Sequence, residues 1–265
     1  MAANSSETSS RLAWNKELAS VPCVNPWGIP GAYTTLRIDG DPAWPLFLED
    51  HLTRLADSLE RLGMEPPSPL SAIRDKILSF RQETTLPSPQ LLRVSVLGNL
   101  FQLEARPLPA IGSWVEGRLL PYVRPSPEAK SLDHKLYEHV LQLQRAGEEA
   151  LLLSPEAELG EGATSNLIFV KDDVLVAPET KVLPGITLAK LLPELGERFT
   201  VERRPVSLTD LPEFTEILAT GSGKEVVGVA RIPEVGWRSR KETVLGTARE
   251  TYQKIKQSHL ASLDA

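Results

Sequence analysis

Cysteine and histidine are both scarce in this chain, which excludes several kinds of site. Cys23 is the single cysteine, so the chain can form neither an internal disulfide nor a cysteine-based metal site. The 4 histidines do not form the H-E-x-x-H pattern of zinc hydrolases. We therefore expect no metal site, and we expect Cys23 to be an unreactive thiol that is buried or half-buried.

Positive charge and long apolar runs are also lacking. The chain has 29 basic and 35 acidic residues, a net charge of −6, whereas nucleic-acid-binding proteins normally carry a basic excess or stripe. No apolar run reaches the ~18 residues of a transmembrane helix. The start, MAANSSETSSRLAW, lacks the apolar core of a secretory signal and is predicted to be a short disordered tail. We expect a cytoplasmic protein that binds neither nucleic acid nor membrane.

What the chain does contain is the composition of a globular protein with a real core. Hydrophobic residues make up 41% of the chain and charged residues 24%. Helical and strand patterns occur in both halves, and a segment rich in proline and glycine, 106–113, separates them. We predict an α+β fold of two domains, a small one over 1–110 and a larger one over 114–265.

The local patterns predict individual elements. Leucines at helical spacing predict a helix over 48–63 that is capped by Gly63, and Gly98-Asn99 predicts a hairpin over 91–105. Residues 224–230 fit either a helix or a strand. The other predicted elements are helices over 70–82, 132–146, 187–195 and 240–258, and strands over 31–38, 116–123, 149–153, 166–170, 173–177, 199–205 and 215–220.

The segment over 161–187 carries the clearest chemical pattern. Glu161 stands directly before a turn of small residues, and Pro184-Gly185 precedes a predicted helix. A glycine-containing turn that leads into a helix offers free N–H groups and the positive end of the helix dipole to a phosphate. The alternative is an ordinary junction between a loop and a helix.

Motifs in the same order occur in a known family. This chain resembles the fold-type-IV enzymes that use pyridoxal 5'-phosphate, which include branched-chain and D-amino-acid aminotransferases and aminodeoxychorismate lyase. The similarity extends from about residue 12 to residue 232. The motifs are His51-Leu52-x-Arg54-Leu55, Ala129-Lys130-Ser131-Leu132-Asp133, Glu161-Gly162-x-x-Ser165-Asn166-Leu167, Leu183-Pro184-Gly185-Ile186-Thr187 and Glu216-Ile217-Leu218-Ala219-Thr220-Gly221-Ser222.

The resemblance implies a fold and an assembly. The fold would have a small N-terminal α/β sandwich domain and a larger C-terminal domain that is barrel-like and surrounded by helices. The protein would be a homodimer, with the active site between the two domains and near the subunit interface. The enzyme would act on a small-molecule substrate that carries an amino group. The family's Gly-Asp-Gly stretch before the first strand is replaced here by Val24-Asn25-Pro26-Trp27-Gly28-Ile29-Pro30, which indicates a reshaped substrate entrance.

The resemblance also assigns the central lysine. Lys130 would hold the cofactor through its amine and then act as the general base at the substrate's α-carbon. Glu161 would pair with the protonated pyridine nitrogen and keep the ring cationic. Lys135 is the rival lysine, but it would leave too short a helix before Gly147. Without the family, a surface role for Lys130 and Glu161 would be the simpler interpretation.

A guanidinium and a helix start would hold the phosphate of the cofactor. Arg54 suits a phosphate because of its planar fork, although it could instead pair with Asp50 on the helix surface. Ser165 and Asn166 are expected to shape the turn beside the cofactor. The cofactor-binding residues that the resemblance implies are Arg54, Lys130, Glu161, Ser165, Asn166, Gly185, Ile186, Thr187 and Ser222.

Three interpretations of the reaction remain open. Tyr33 and Thr34 are predicted to lie on the substrate side, and Thr34 resembles the residue that the lyases often carry where aminotransferases have glutamate. We favour an aminodeoxychorismate lyase-like enzyme that releases 4-aminobenzoate and pyruvate. The alternatives are a branched-chain or D-amino-acid aminotransferase, and a non-catalytic relative that retains the fold. Arg93 is a candidate for binding the substrate carboxylate.

Overall fold

The N-terminal part of the chain folds as a six-stranded sheet covered on one face by two helices. The computed structural model describes residues 11–83, 88–143 and 147–263. The helices α1 (Leu48–Arg61) and α2 (Leu70–Glu83) bury their apolar faces against the sheet. The strands are β1 (Arg11–Asn15), β2 (Ser20–Val21), β3 (Gly31–Asp39), β4 (Trp44–Pro45), β5 (Gln90–Leu97) and β6 (Leu100–Pro107), in the order β2-β1-β6-β5-β3-β4.

The α1 helix forms where the leucine spacing predicts it. Its leucine stripe packs on β3 and β5, and Leu55 and Leu59 are fully buried. The chain leaves the helix at Gly63 with φ +68°, a conformation that glycine adopts without strain. The predicted hairpin also forms, and it turns at Gly98 with φ +51°. These two predictions are confirmed.

The C-terminal part contains a nine-stranded sheet that closes on itself. The strands run in the order β12-β11-β10-β13-β14-β7-β8-β9, and β9 pairs in turn with β10. The ring β10-β13-β14-β7-β8-β9 is therefore a barrel, with β11, β12 and β15 attached to it. The strands are β7 (Trp114–Pro121), β8 (Glu148–Leu153), β9 (Leu159–Gly162), β10 (Ser165–Lys171), β11 (Val174–Val176), β12 (Thr200–Glu202), β13 (Glu216–Gly221), β14 (Glu225–Ile232) and β15 (Trp237–Arg238).

Three α-helices of the described residues accompany the barrel, and one of them reaches the first sheet. The helices are α3 (His134–Leu143), α4 (Ile186–Gly196) and α5 (Thr243–Leu263). Leucines of α4 and the first half of α5 pack together against β10 and β13. Lys256 of α5 forms ion pairs with Asp39 at 3.0 Å and with Glu225 at 2.9 Å. These contacts fasten the two sheets to each other.

Most predicted elements form, with shifted ends. The ambiguous segment 224–230 is a strand, β14, and residues 144–146 of the predicted helix over 132–146 lie outside the described residues. The predicted disordered start is wrong for residues 11–14, because they belong to β1 and bury Trp14 against Phe101. The sequence does not predict four short strands, β2, β4, β9 and β15. Each has two to four residues, which is too few to show a strand's alternation of apolar and polar residues. The predicted α+β fold with a barrel-like second part is confirmed.

Candidate active site

Lys130 lies in the loop between β7 and α3, where hydrogen bonds fasten it to the first sheet. The N–H of Tyr33 donates to the Lys130 carbonyl at 2.9 Å, and the Lys130 N–H donates to Ser58 Oγ at 3.1 Å. Its Nζ lies 4.8 Å from the centre of the Tyr33 ring. The amine therefore lies against β3 and α1, where the two sheets meet.

The Lys130 amine has more positive than negative charge around it. Burial lowers the pKa of Lys130 well below its usual value, and Arg54 and Arg124 lower it further, whereas Glu161 opposes the shift. A lysine whose pKa is depressed in this way is a neutral amine over more of the pH range. Such an amine can attack an aldehyde and can accept a proton.

Glu161 is buried beside this lysine and is paired with an arginine. The residue is 3% exposed, its Oε1 lies 3.1 Å from Arg124 Nε, and its Oε2 accepts a hydrogen bond from the Leu183 N–H at 3.0 Å. Burial raises the pKa of Glu161, although Arg124 and the Leu183 N–H oppose the increase. The carboxylate is thus held rigidly and could receive an N–H donor.

Arg124 is a site residue that the sequence analysis missed. Its side chain is buried, and its Nη2 also donates to the Ala163 carbonyl at 3.4 Å. It stands alone in a proline-rich loop, so no periodic pattern marks it. Its partner Glu161 is distant in sequence and comes near because β7 pairs with β8 and β8 pairs with β9, the strand that carries Glu161.

Arg54 reaches from α1 across to the loop before α4. Its Nη2 donates to Thr34 Oγ1 at 2.9 Å, and its Nη1 donates to the Pro184 carbonyl at 3.3 Å. The alternative for Arg54 is an ion pair with Asp50 on the helix surface. Asp50 instead pairs with Lys190 at 2.8 Å. Burial lowers the pKa of Arg54 to about 10. Two predicted phosphate-binding elements, the guanidinium and the start of α4, are thereby adjacent.

Thr34 contacts Arg54 and a buried histidine. Its Oγ1 lies 2.7 Å from His51 Nδ1, and both side chains are buried. Burial lowers the pKa of His51 well below its usual value, and the nearby Arg54 and Lys130 lower it further. The ring is therefore neutral near neutral pH, and its hydrogen bond with Thr34 fixes the hydroxyl beside Arg54.

The start of α4 forms the predicted turn and helix. Gly185 is the N-cap, with Ile186 and Thr187 in the first turn, so their N–H groups have no partner within the helix. Asn166 Nδ2 donates to the Leu183 carbonyl at 2.7 Å. A Cβ on Gly185 would overlap Asn166 Oδ1, which leaves no room for a side chain at the N-cap.

The other predicted cofactor residues lie at two neighbouring turns. Ser165 begins β10, directly after the turn that follows Glu161, and Ser222 lies in the turn between β13 and β14. The two turns are close because β10 pairs with β13 and because Gly221 lies against the Thr164 carbonyl. An added Cβ on Gly221 would be 2.9 Å from that oxygen.

This arrangement agrees with what comparison with known proteins finds. A sequence model of the family described as amino-transferase class IV matches residues 31–232. The chain belongs to the class IV aminotransferase family. Members of this family use pyridoxal phosphate, so the chain is a pyridoxal-phosphate-dependent enzyme.

The relatives of this class IV aminotransferase share its fold over nearly the whole chain. A putative branched-chain-amino-acid aminotransferase of Methanocaldococcus jannaschii is 28% identical over 212 residues, which is 70% of this chain and 73% of the relative. The structure of branched-chain aminotransferase from Thermoproteus uzoniensis with norvaline covers 94% of this chain and 95% of that one, with a TM-score of 0.80 and 17% identity. A hypothetical aminotransferase from Mycobacterium tuberculosis, in a PLP-bound form, covers 94% and 99%, with a TM-score of 0.75 and 17% identity.

The residues of this class IV aminotransferase fit its cofactor. Arg54 Nε is buried and has no hydrogen-bond partner among the described residues, so a phosphate oxygen could occupy that position. Glu161 could pair with the pyridine nitrogen, and the Lys130 amine could hold the aldehyde carbon. When bound, pyridoxal phosphate draws electrons from the α-carbon of an amino substrate attached to it.

Several other candidate residues lie away from this cluster or are already paired. Lys135 is exposed at the start of α3, whereas Lys130 is partly buried among the site residues. Arg93 is 6% exposed and forms an ion pair with Glu104, so its charge is compensated within the first sheet. Cys23 is half-buried. Across residues 11–83, 88–143 and 147–263, no helix is long and apolar enough to cross a membrane, and no acidic, histidine and cysteine cluster could hold a metal.

Proposed function

We propose that this chain transfers the amino group of an amino acid with an apolar side chain to a 2-oxo acid. One structural observation carries the choice of substrate. The Lys130 amine lies over the Tyr33 ring, and Trp27 meets the same ring edge-on, with 5.2 Å between ring centres. Trp27 also stacks on Tyr137 at 4.2 Å. A substrate held at Lys130 would therefore have an aromatic wall beside its side chain, which favours apolar groups.

The relatives support the same choice of substrate. The Methanocaldococcus protein is named a putative branched-chain-amino-acid aminotransferase, and the Thermoproteus structure contains norvaline, an unbranched apolar amino acid. The wall comes partly from the segment over 24–30, which differs from the family pattern. Branched and linear aliphatic side chains are therefore the substrates that we expect to be transferred fastest.

Within this proposal each predicted residue has a definite task. Lys130 would hold the cofactor and then carry the proton to and from the α-carbon of the substrate. Glu161 would keep the pyridine nitrogen protonated, and Arg124 would hold Glu161 in place. The phosphate would be bound by the side chains of Arg54 and Ser222 and by the N–H groups of Ile186 and Thr187.

The lyase interpretation is not confirmed, and the aminotransferase alternative fits the relatives better. Thr34 is one of the features that favour a lyase, but the Thr34 hydroxyl contacts Arg54 and His51 on the side of the predicted phosphate site. A residue there can position the phosphate-binding arginine whether the enzyme is a lyase or a transferase. We therefore propose amino transfer, and we retain pyruvate release as the competing outcome of the test.

The decisive experiment is a comparison of two assays on the purified enzyme loaded with pyridoxal phosphate. The first follows 2-oxo acid formation from leucine, valine, norvaline and D-alanine with 2-oxoglutarate as acceptor. The second follows pyruvate release from aminodeoxychorismate without an acceptor. We expect turnover of L-amino acids with apolar side chains, only in the presence of the acceptor. Pyruvate release without an acceptor, at a faster rate than any transfer, would reject the proposal.

A variant of Trp27 tests the role of the aromatic wall separately. Trp27→Ala should lower kcat/KM for leucine by about tenfold, the effect of losing ~1.4 kcal/mol of binding, and should affect alanine less. Trp44→Ala is the matched control, because Trp44 packs on Arg81 at 3.8 Å and pairs with Asp39, at the end of β3 opposite to Tyr33. Equal losses for both substrates would show that Trp27 supports the fold and does not select the side chain.

We also propose that the enzyme is a homodimer and that it is cytoplasmic. Apolar side chains are exposed near α3 and the segment over 24–30, with Leu141 63% exposed, Ile29 38% exposed and Val24 37% exposed. Exposed apolar residues of this kind often mark a subunit interface. Light scattering of the purified protein tests the dimer, and cell fractionation tests the location.

A further inference from the structure

A buried ion pair joins the two turns that carry predicted cofactor residues. Glu149 of β8 and Lys224 of the turn between β13 and β14 form this pair, and their side chains are 0% and 5% exposed. Lys224 follows Ser222 by two residues, and Glu149 lies under the turn between β9 and β10. None of the motifs found in the sequence includes either residue of the pair.

The same carboxylate also holds the turn that leads into β10. Glu149 Oε1 accepts hydrogen bonds from the Thr164 N–H at 3.1 Å and from Ser165 Oγ at 2.7 Å. Lys224 Nζ donates to Thr164 Oγ1 at 2.9 Å. Glu149, Lys224 and Thr164 therefore connect the turn that bears Ser165 with the turn that bears Ser222.

The two turns pack closely against each other beside this pair. A Cβ on Gly162 would overlap Ser165 Oγ and Glu149 Oε1, and a Cβ on Gly221 would press on the Thr164 carbonyl. Both glycines are required because side chains or backbone of the opposite turn occupy the space beside them. A shift of one turn would accordingly have to move the other.

The carboxylate of this pair carries its charge at neutral pH. Burial alone would raise the pKa of Glu149, but Lys224 and the hydrogen bonds from Ser165 and Thr164 lower it below its usual value. Burying two charges is costly, and well-packed apolar residues often give equal or greater stability. The pair is therefore better explained by the geometry that it fixes than by the stability that it adds.

We propose that Glu149 and Lys224 are positioning residues that hold the Ser222 turn in register with the Ser165 turn and so set the affinity for the cofactor's phosphate. The proposal rests on the phosphate role of Ser222 proposed above. Neither residue needs to contact the cofactor. Removing one partner should let the Ser222 turn move relative to Asn166 and the start of α4.

The test is a double-mutant cycle read out as cofactor affinity. The variants Lys224→Met, Glu149→Gln and the double variant are prepared as full-length, cofactor-free protein. Each is titrated with pyridoxal 5'-phosphate and with pyridoxal, which lacks the phosphate. We expect each single change to weaken pyridoxal 5'-phosphate binding by about tenfold, and the double change to weaken it no further, because the two residues act as one unit. Pyridoxal binding should change much less, and Lys224→Arg should restore most of the loss.

Controls separate this inference from a structural role and from the proposed phosphate site. Lys171→Met breaks an exposed pair with Glu213 at the other end of β10, and it should leave both affinities unchanged. If Lys224→Met does not fold, Thr164→Val removes only the bridging hydroxyl and should still weaken pyridoxal 5'-phosphate binding.

Three results would overturn the inference. The first is a lower melting temperature for Lys224→Met with an unchanged ratio between the affinities for pyridoxal 5'-phosphate and for pyridoxal. That result would show that the pair only stabilises the fold. The second is tighter binding in Glu149→Gln with weaker binding in Lys224→Met, which would mean that Lys224 attracts the phosphate by its charge. The third is weaker binding in Ser222→Ala with normal binding in the pair variants. Unchanged binding in Ser222→Ala would instead refute the phosphate site itself.

Discussion

Thr34→Val is the most incisive single change for the phosphate side of the active site. The Thr34 side chain is fully buried, and its hydroxyl bonds to Arg54 Nη2 at 2.9 Å and to His51 Nδ1 at 2.7 Å. Valine has nearly the same shape, so the change removes both hydrogen bonds without opening a cavity. Arg54 would then keep only its hydrogen bond to the Pro184 carbonyl among those described. Its Nε has no hydrogen-bond partner among the described residues even before the change.

The size of the effect follows from the groups that are left unpaired. A hydrogen bond to a charged group contributes about 1.5–3 kcal/mol, and one between neutral groups about 1 kcal/mol. We expect the free energy of unfolding of the cofactor-free protein to fall by about 3 kcal/mol. We also expect cofactor affinity to fall by about tenfold, which is ~1.4 kcal/mol, because Arg54 must be ordered again when it binds the phosphate.

Two measurements test this prediction, and a neighbouring threonine provides the control. Urea denaturation gives the free energy of unfolding, and titration of the cofactor-free protein with pyridoxal phosphate gives the affinity. Thr35→Val is the matched control, since Thr35 is the next residue of β3 and faces the opposite side of the sheet. Wild-type stability and affinity in Thr34→Val would show that the hydroxyl does not position Arg54. Normal cofactor binding with lost turnover would instead support the substrate-side role that the sequence predicts for Thr34.

Three further changes test the rest of the site. Lys130→Ala should abolish covalent attachment of the cofactor, followed by the visible absorbance of the loaded protein, because Lys130 is the proposed point of attachment; retained colour and turnover would transfer the role to another lysine. Gly185→Ala should weaken cofactor binding by about tenfold or more, since its Cβ overlaps Asn166 and displaces the start of α4; unchanged affinity would show that this turn does not contact the phosphate. Burial lowers the pKa of Lys130, and Arg54 and Arg124 lower it further, so attachment of the cofactor should persist well below the usual lysine pKa. Arg124→Gln should move the midpoint of that attachment, followed by absorbance, to higher pH, and a downward shift would contradict the assigned cause.

The elements with strong periodic patterns could be predicted from the sequence. The leucine stripe of α1 and the Gly98-Asn99 hairpin each express a local rule, namely helical spacing and turn chemistry. Tertiary packing stabilises such elements, but it is not needed to predict them. The residues over 11–14 show the limit of this reasoning, because a segment too short to show a periodic pattern becomes a strand when β6 offers its edge.

The candidate site was predictable only where a motif marks it. Lys130, Glu161 and Arg54 stand in stretches that resemble a family, and the fold brings all three within reach of one another. Arg124 and Lys224 stand in no such stretch. Each is defined by a buried carboxylate from a distant strand, Glu161 and Glu149 respectively. A pairing of this kind arises from the closure of the barrel and leaves no trace in local sequence.

The two arginines near Lys130 differ in whether a carboxylate compensates their charge. Arg124 is compensated by Glu161 at 3.1 Å, whereas Arg54 has only neutral oxygen partners among its described hydrogen bonds. Burial lowers the pKa of Lys130, and the charges of Arg54, which is available to an anion, and of Arg124 lower it further. While Arg54 has no anion bound, its charge adds to the effect of burial in favouring the neutral form of the Lys130 amine. Once Arg54 binds a phosphate, that influence weakens, and Lys130 becomes better able to accept a proton.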